Sequence, residues 1–141
     1  METCKPVPFA IRWGFTWSGT LLINARSETA AQKSVFRESM ERRHCLIPAS
    51  CYYEWAKYEK ERVKYAIGAG KLIYLAGLYR MEDTGPVFTI LTREPAEKVA
   101  FVHDRMPVIL PTEAHAVWLG HNAEPTNALC YAVLDVRFEQ A

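Results

Sequence analysis

A short polar segment, Asn24–Arg26, places an amide and a guanidinium directly before a predicted helix. The free backbone N–H groups at a helix N-terminus attract anions. An arginine such as Arg26 can bind a phosphate through two parallel hydrogen bonds. The segment therefore favours an anion-binding site, although Asn24 and Ser27 could also serve only to cap the helix and turn the chain.

Glu54 lies in a strongly aromatic segment, residues 52–58, that is typical of a β-strand. Because successive side chains of a strand point to opposite faces, Glu54 shares a face with Tyr52 and Ala56, and Trp55 points the other way. A carboxyl group among aromatic rings is partly desolvated, which suits it to acid–base chemistry near neutral pH. The alternative is an exposed glutamate on a half-buried strand.

A third polar segment, residues 103–107, contains a histidine and an arginine. Pro107 restricts Met106 to an extended backbone, which favours a loop that presents His103 and Arg105. Histidine is the usual proton carrier near neutral pH. The alternative is that Asp104 or a backbone carbonyl satisfies the imidazole.

Two tryptophans lie on either side of Gly14. Trp17 stands among serine and glycine after a predicted strand, and this position favours exposure. An exposed tryptophan can stack on an unpaired base, an interaction worth about 1–3 kcal/mol per base. Trp13 lies inside the strand, and we expect it to pack in the core.

The charges and cysteines narrow the class of protein. Residues 1–80 carry 13 basic and 7 acidic side chains, whereas residues 81–141 carry 4 and 9. A basic first half could bind an anionic partner such as nucleic acid, or it could be a solvated face.

The four cysteines lack the paired short spacings of a zinc site, so we expect reduced thiols and no metal; they are Cys4, Cys45, Cys51 and Cys130.

The length of 141 residues suits one domain, and 50% hydrophobic with 23% charged residues is typical of a globular protein. No apolar run reaches 18 residues and no secretory signal is evident, so we expect a cytoplasmic protein. The patterns predict strands at 10–15, 21–25, 45–47, 52–58, 65–69, 72–80, 87–91, 108–110 and 131–138. Helices are predicted from residue 29, over 95–101 and over 112–120. The result is a single α+β domain, with a mostly antiparallel, barrel-like curved sheet and two or three flanking helices.

Local motifs refine these boundaries. Thr29 and Gln32 have the spacing of a capping box, which predicts that the first helix begins there. Lys33 and Arg37 would lie one turn apart on that helix, where a bound anion could offset their repulsion. Gly70-Lys71 predicts a two-residue hairpin between the strands at 65–69 and 72–80.

Three runs of the sequence, WGFTW with NARSET, HCLIPASCYYEW, and TILT with HDRMPVILP, share their order and spacing with one known family. Over about residues 9–119 the chain resembles the SOS response-associated peptidase (SRAP) family. The resemblance implies an α+β, barrel-like fold and a role in the DNA damage response. It implies binding of single-stranded DNA, a covalent crosslink to abasic sites, no cofactor and a monomer.

The resemblance also implies roles for individual side chains. Asn24 would orient the nucleophile, Glu54 would move protons, and His103 would assist ring opening and crosslink reversal. Other side chains would contact DNA through phosphate binding, stacking or polar contacts: Arg26, Arg105, Trp17, Trp55 and Thr92.

The N-terminus departs from the family pattern. SRAP proteins begin Met-Cys-Gly-Arg, and the freed cysteine attacks the abasic sugar with its α-amine and closes a thiazolidine ring with its thiol. This chain begins Met1-Glu2-Thr3-Cys4, so the cysteine has no free α-amine. We therefore expect an N-terminally truncated domain that lacks the nucleophile and forms no stable crosslink, and whether it is an enzyme stays open.

Two other functions are compatible with these residues. One is a thiol-type peptidase or autoprotease, in which Cys51 would be the nucleophile beside Glu54 and His103. The other is a non-catalytic DNA-binding remnant, whose binding would not depend on Glu54 or His103. A lysine could also attack the sugar aldehyde transiently, which would lead to strand cleavage by β-elimination.

Overall fold

The computed structural model describes residues 6–120 and 124–141. The strands are β1 (Arg12–Trp13), β2 (Phe15–Trp17), β3 (Thr20–Leu22), β4 (Asn24–Arg26), β5 (His44–Ala49), β6 (Tyr52–Lys57), β7 (Arg62–Gly68), β8 (Ile73–Glu82), β9 (Gly85–Arg93), β10 (Met106–Pro107) and β11 (Arg137–Gln140). The α-helices are α1 (Arg37–Arg42) and α2 (Thr112–Leu119), and 3₁₀ turns cover Ala30–Gln32, Glu97–Val99 and Pro125–Tyr131.

The strands form a curled, mostly antiparallel half-barrel. The main sheet has the order β1-β9-β8-β5, and β4 and β10 also pair with β9. A second sheet has the order β11-β7-β6, and β2 with β3 forms a separate hairpin. Only β1 and β4 run parallel to their partner β9 among the described strands. The predicted α+β class with a curved sheet is therefore confirmed.

The main sheet separates two hydrophobic clusters. On one face, Val87 and Leu91 of β9 pack with α1 and α2, where Trp118 is fully buried. On the other face, Phe88 and Ile90 pack with the inner side of the second sheet. Because β8 and β9 are covered on both faces, their sequences read as nearly continuous apolar runs. Within the described ranges, no helix is long and apolar enough to cross a membrane.

The first predicted strand is two strands. Gly14 has φ +116, which L side chains rarely adopt, and a Cβ at this position would lie 2.5 Å from the Leu21 side chain. The chain therefore breaks at Gly14 into β1, which joins the main sheet, and β2, which begins the hairpin. The local alternation could not reveal this change of partner.

The predicted capping box is wrong. The Thr29 side chain makes no capping hydrogen bond, and only the turn Ala30–Gln32 follows before Lys33 becomes extended. The α-helix begins at Arg37, so Lys33 lies outside it. Arg37 donates a hydrogen bond to the carbonyl of Gln32.

Two predictions in the second half also fail. Gly70 does adopt the turn conformation, with φ +72, but β7 and β8 belong to different sheets and do not form a hairpin. The last strand is Arg137–Gln140, shorter and later than predicted, because the preceding residues form a 3₁₀ turn that buries Ala128 in the core. Cys4 lies outside the described residues.

Candidate functional site

Three of the predicted site residues lie on one face of the main sheet. Strand β4 pairs with β9 so that Asn24 is opposite Ile90 and Arg26 is opposite Thr92. Ala25, between them, points into the helix-covered cluster. Asn24 and Arg26 therefore share the face of β9 that carries Thr92, and both are exposed. Within residues 6–120 and 124–141, neither side chain makes a hydrogen bond.

A network of hydrogen bonds, here called the Glu28 clamp, joins Glu28, Thr92 and Arg105. Arg105 Nη1 donates to Glu28 Oε1 at 3.1 Å, and its Nη2 donates to Glu28 Oε2 at 2.8 Å. The Nε and Nη2 atoms of Arg105 also donate to Thr92 Oγ1, at 3.3 and 3.1 Å. The hydrogen bonds from Arg105 hold the pKa of the Glu28 carboxyl below its usual value of 4.5. The clamp thus connects the end of β4, strand β9 and the segment before β10.

His103 belongs to a loop, residues 101–105, that is named here the His103 loop. The backbone N–H of Arg105 donates to His103 Nδ1 at 3.1 Å, and Asp104 Oδ1 lies 3.2 Å from the same nitrogen. The imidazole is 43% exposed. The Arg105 N–H is a donor and so favours a neutral ring with its proton on Nε2, whereas the Asp104 carboxylate at the same nitrogen is an acceptor and favours a proton on Nδ1.

Glu54 takes the orientation that the alternation predicts. It is half-buried on the inner side of β6 with Tyr52 and the fully buried Ala56, whereas Trp55 is 47% exposed on the outer side. Burial raises the pKa of the Tyr52 hydroxyl, and the nearby Glu54 carboxylate raises it further. Glu54 Oε1 accepts the backbone N–H of Trp55 at 3.2 Å.

Contacts of Tyr65 relate Glu54 to the His103 loop. Tyr65 is the cross-strand partner of Glu54 on β7, and its ring meets Phe101 edge to face at 5.3 Å. Phe101 begins the His103 loop, and Val102 is buried in the same cluster as Ala56. Asn24, Glu54 and His103 therefore lie on segments around one hydrophobic cluster, although no hydrogen bond joins any two of them within the described residues.

The hairpin of β2 and β3 carries Trp17, which is 44% exposed. A second network, here called the Glu82 clamp, fixes this hairpin to β8 through Thr16, Arg80 and Glu82. Glu82 accepts the backbone N–H of Thr16 and a 2.6 Å ion pair from Arg80, which also donates to the Thr16 carbonyl. Burial alone would raise the pKa of Glu82, but these hydrogen bonds outweigh it and the pKa is lowered.

Trp13 contradicts the expectation of core packing. It is 46% exposed, stacks on Phe88 with ring centroids 6.1 Å apart, and donates its indole N–H to the carbonyl of Ile23. The reason is that β1 is an edge strand, which leaves one side of the ring uncovered. Sequence reasoning assigned neither Trp13 nor Glu28 a role in the site. The signal that could have revealed Glu28 is its position two residues after Arg26.

Within residues 6–120 and 124–141, no cysteine forms a recognisable catalytic pair with a base. Burial raises the pKa of the Cys45 thiol to about 12. Cys51 is half-buried and its thiol contacts the hydroxyl of Tyr53, and this contact raises the pKa of Tyr53. A thiol nucleophile needs a base within hydrogen-bond reach, and neither Glu54 nor His103 bonds to Cys51. Among the residues that the structure describes, no group of three or more His, Cys, Asp or Glu side chains could hold a metal.

Comparisons with known proteins identify the family of the chain. Residues 7–139 match the family model described as SOS response associated peptidase (SRAP). The chain is 36% identical over 131 residues to the abasic site processing protein YoqW of Bacillus subtilis, covering 82% of this chain and 58% of that protein. The chain thus spans little more than half the length of this relative.

Two crystal structures share the fold. One is a phage-related protein from Bordetella bronchiseptica, with a TM-score of 0.79, 23% identity and coverage of 93% of this chain and 70% of that one. The other is a protein from Bacteroides thetaiotaomicron, with a TM-score of 0.74, 24% identity and coverage of 83% and 57%. These similarities concern the fold alone.

Proposed function

Because the chain belongs to the SOS response-associated peptidase family, we propose that it binds single-stranded DNA and processes abasic sites in the DNA damage response. The observation that carries this proposal is the face of β4 and β9, where Asn24, Arg26 and Thr92 lie together. The His103 loop is tied to the same strands through Arg105. Abasic site processing is also the activity in the name of the relative YoqW.

Cationic and aromatic side chains supply the proposed DNA contacts. Arg26 is exposed on the face beside Thr92 and would bind a backbone phosphate. Trp17 is 44% exposed on its hairpin and would stack on a base. Strand β6 is an edge of the second sheet, so a single strand that crosses this edge would meet Glu54 on one side and Trp55 on the other.

The chemistry follows from the sugar of an abasic site, whose open form is an aldehyde. The Asn24 amide can both donate and accept hydrogen bonds, which suits it to orienting this group. The Glu54 carboxylate and the His103 imidazole would transfer protons as the ring opens.

Fluorescence anisotropy with labelled single-stranded DNA tests the binding. Arg26→Ala is expected to weaken binding and to reduce the slope of log affinity against log salt by about 0.7, the effect of one lost phosphate contact. Arg42→Ala is the matched control, since Arg42 is an exposed arginine of α1, on the opposite side of the main sheet. Equal losses for the two variants would contradict a site at Arg26.

A denaturing gel after incubation with an abasic oligonucleotide tests processing of the abasic site. Reduction with borohydride would capture a transient lysine imine. Strand cleavage that is lost in Glu54→Gln and His103→Ala would support processing, and unchanged DNA binding without cleavage would favour a binding remnant.

A further inference from the structure

The guanidinium of Arg105 has almost no free hydrogen-bonding capacity. Arginine has five N–H donors, which form two faces that can each hold two acceptor atoms or one shared acceptor. The Nη1 and Nη2 face holds both carboxylate oxygens of Glu28, at 3.1 and 2.8 Å. The Nε and Nη2 face holds Thr92 Oγ1, at 3.3 and 3.1 Å. One N–H of Nη1 is left for any other ligand.

The Arg105 side chain is also enclosed. It is only 15% exposed, compared with 47% for Glu28, and Thr92 is 7% exposed. The three residues of the clamp come from three parts of the chain. Glu28 follows β4, and Thr92 lies in β9, 13 residues before Arg105. The backbone N–H of Ser27 also donates to the carbonyl of Thr92 at 2.9 Å, which fixes the start of the Glu28 segment.

Arg26 is the opposite case, although it lies close to the same carboxylate. Its charge helps to lower the pKa of Glu28, yet its guanidinium makes no hydrogen bond to any residue of the described ranges. Both of its two-donor faces are therefore open to solvent on the face shared with Asn24. A phosphate can take two parallel hydrogen bonds from Arg26, but only one from Arg105 unless Glu28 or Thr92 is displaced.

We infer that Glu28 is a positioning residue of the proposed binding site for abasic DNA: through Arg105 it fixes the His103 loop against the strand that carries Asn24. Arg26 is then the arginine that is free to bind the DNA phosphate with two hydrogen bonds. This inference rests on the proposed function for its DNA contacts. The consequence for His103 is direct, because the backbone N–H of Arg105 is the donor to His103 Nδ1. A fixed Arg105 holds this donor at Nδ1 and so favours the neutral imidazole with its proton on Nε2 over the Nδ1-protonated form that the Asp104 carboxylate would stabilise.

NMR of the His103 ring nitrogens and carbons in the free protein tests the positioning. At a pH where the ring is neutral, the wild type should contain one tautomer, protonated on Nε2, whereas Glu28→Gln should contain a mixture. Arg105→Lys is a second variant, because an ammonium cannot occupy both two-donor faces, and it should give a similar mixture. Glu38→Gln is the control, since Glu38 pairs with Arg43 on α1, away from the site. A wild-type spectrum in both site variants would overturn the inference.

The DNA arm uses anisotropy and salt dependence with an undamaged single strand. Glu28→Gln should bind DNA more tightly, with a salt slope steeper by about 0.7, because the freed Arg105 gains a phosphate contact. An unchanged slope would show that Glu28 does not withhold Arg105 from DNA. If no variant and no wild type binds DNA, the proposed function fails, while the NMR result still supports or overturns the positioning of His103 by itself.

Discussion

The Glu28 clamp and the Glu82 clamp each contain an arginine–glutamate pair, but the two pairs differ in sequence separation and in exposure. In the Glu82 clamp the ionic partners are two residues apart on β8, and both are at most 20% exposed. In the Glu28 clamp the partners are 77 residues apart, and the carboxylate is 47% exposed. The first pair is local and enclosed, whereas the second is assembled by the fold and is open to solvent on the carboxylate side.

The two clamps also differ in whether they form hydrogen bonds to backbone or to side-chain atoms. The Glu82 clamp bonds the backbone N–H and carbonyl of Thr16, and so it fixes the position of the hairpin that carries Trp17. The Glu28 clamp bonds the side chain of Thr92, and so it depends on that hydroxyl. Hydrogen bonds to the backbone of Thr16 hold a segment in place, whereas in the Glu28 clamp the carboxylate of Glu28 is exposed where an anion could compete with it. Similar ion pairs can thus have a structural role in one part of the molecule and, in another, a role that a competing ligand could alter.

The largest expected effect is the loss of the Glu82 clamp. Glu82→Ala removes the acceptor of three hydrogen bonds. The charged Arg80 side chain, which lies over the Phe15 ring, then keeps only its hydrogen bond to the carbonyl of Thr16. We expect the free energy of unfolding to fall by about 2–3 kcal/mol. Urea denaturation measures this, with an unchanged slope as the check on two-state behaviour. A loss smaller than that of Glu28→Ala would reverse the comparison between the clamps.

The sequence predicts the regions with local patterns well. The alternation around Glu54 predicts which neighbours share its face, and the apolar runs of β8 and β9 mark strands that are covered on both sides. The sequence singles out Asn24 and Arg26 as a polar segment before a predicted helix, whereas Thr92 comes only from the family resemblance. In the structure Arg26 lies opposite Thr92 on neighbouring parallel strands.

The parts that could not be predicted depend on contacts between distant residues. Nothing near Glu28 indicates that Arg105 is its partner, because the pair exists only once β9 lies between their segments. The turn at Gly70 has the residues of a hairpin, yet the chain there passes from one sheet to another. Trp13 has the sequence environment of a core residue but lies on an edge strand, and edge position is a property of the whole sheet.

Removal of Trp17 tests what the Glu82 clamp positions. Trp17→Ala should weaken binding of single-stranded DNA by about 1–3 kcal/mol while the salt slope stays the same, because stacking involves no phosphate. Anisotropy measures the affinity, and urea denaturation should show little change. Tyr131→Ala is the matched control, as Tyr131 is an aromatic residue that is 61% exposed in the turn beside α2. Similar weakening by both variants would contradict stacking on Trp17.

Loss of the Glu28 clamp should have a smaller effect on stability. Glu28→Ala is expected to lower the free energy of unfolding by about 1 kcal/mol, since solvent screens a carboxylate that is 47% exposed. The same urea experiment, run beside Glu82→Ala, measures the difference between the two clamps. A loss of equal size would mean that exposure of the carboxylate does not weaken the Glu28 clamp.

The pH dependence of stability should carry a contribution from both clamps. The pKa values of Glu28 and Glu82 lie below the usual 4.5 in the folded protein, so the unfolded chain binds more protons in acid. The contribution is therefore complete above about pH 4.5 and is lost as the pH falls through the folded-state values. Glu28→Gln and Glu82→Gln should each flatten the fall of stability below pH 4.5. Curves parallel to that of the wild type would contradict the assignment.

The smallest effect should come from a matched pair of threonine substitutions, one in each clamp. Thr16→Val removes an exposed hydroxyl that helps to lower the pKa of Glu82 but keeps the two backbone hydrogen bonds, so a change within about 0.5 kcal/mol is expected. Thr92→Val removes a buried acceptor from Arg105, and about 1 kcal/mol should be lost. Valine keeps the β-branched shape that strands favour, which limits other changes at either position. If Thr16→Val costs more than Thr92→Val, the Glu82 clamp grips its hairpin through the hydroxyl rather than through the backbone.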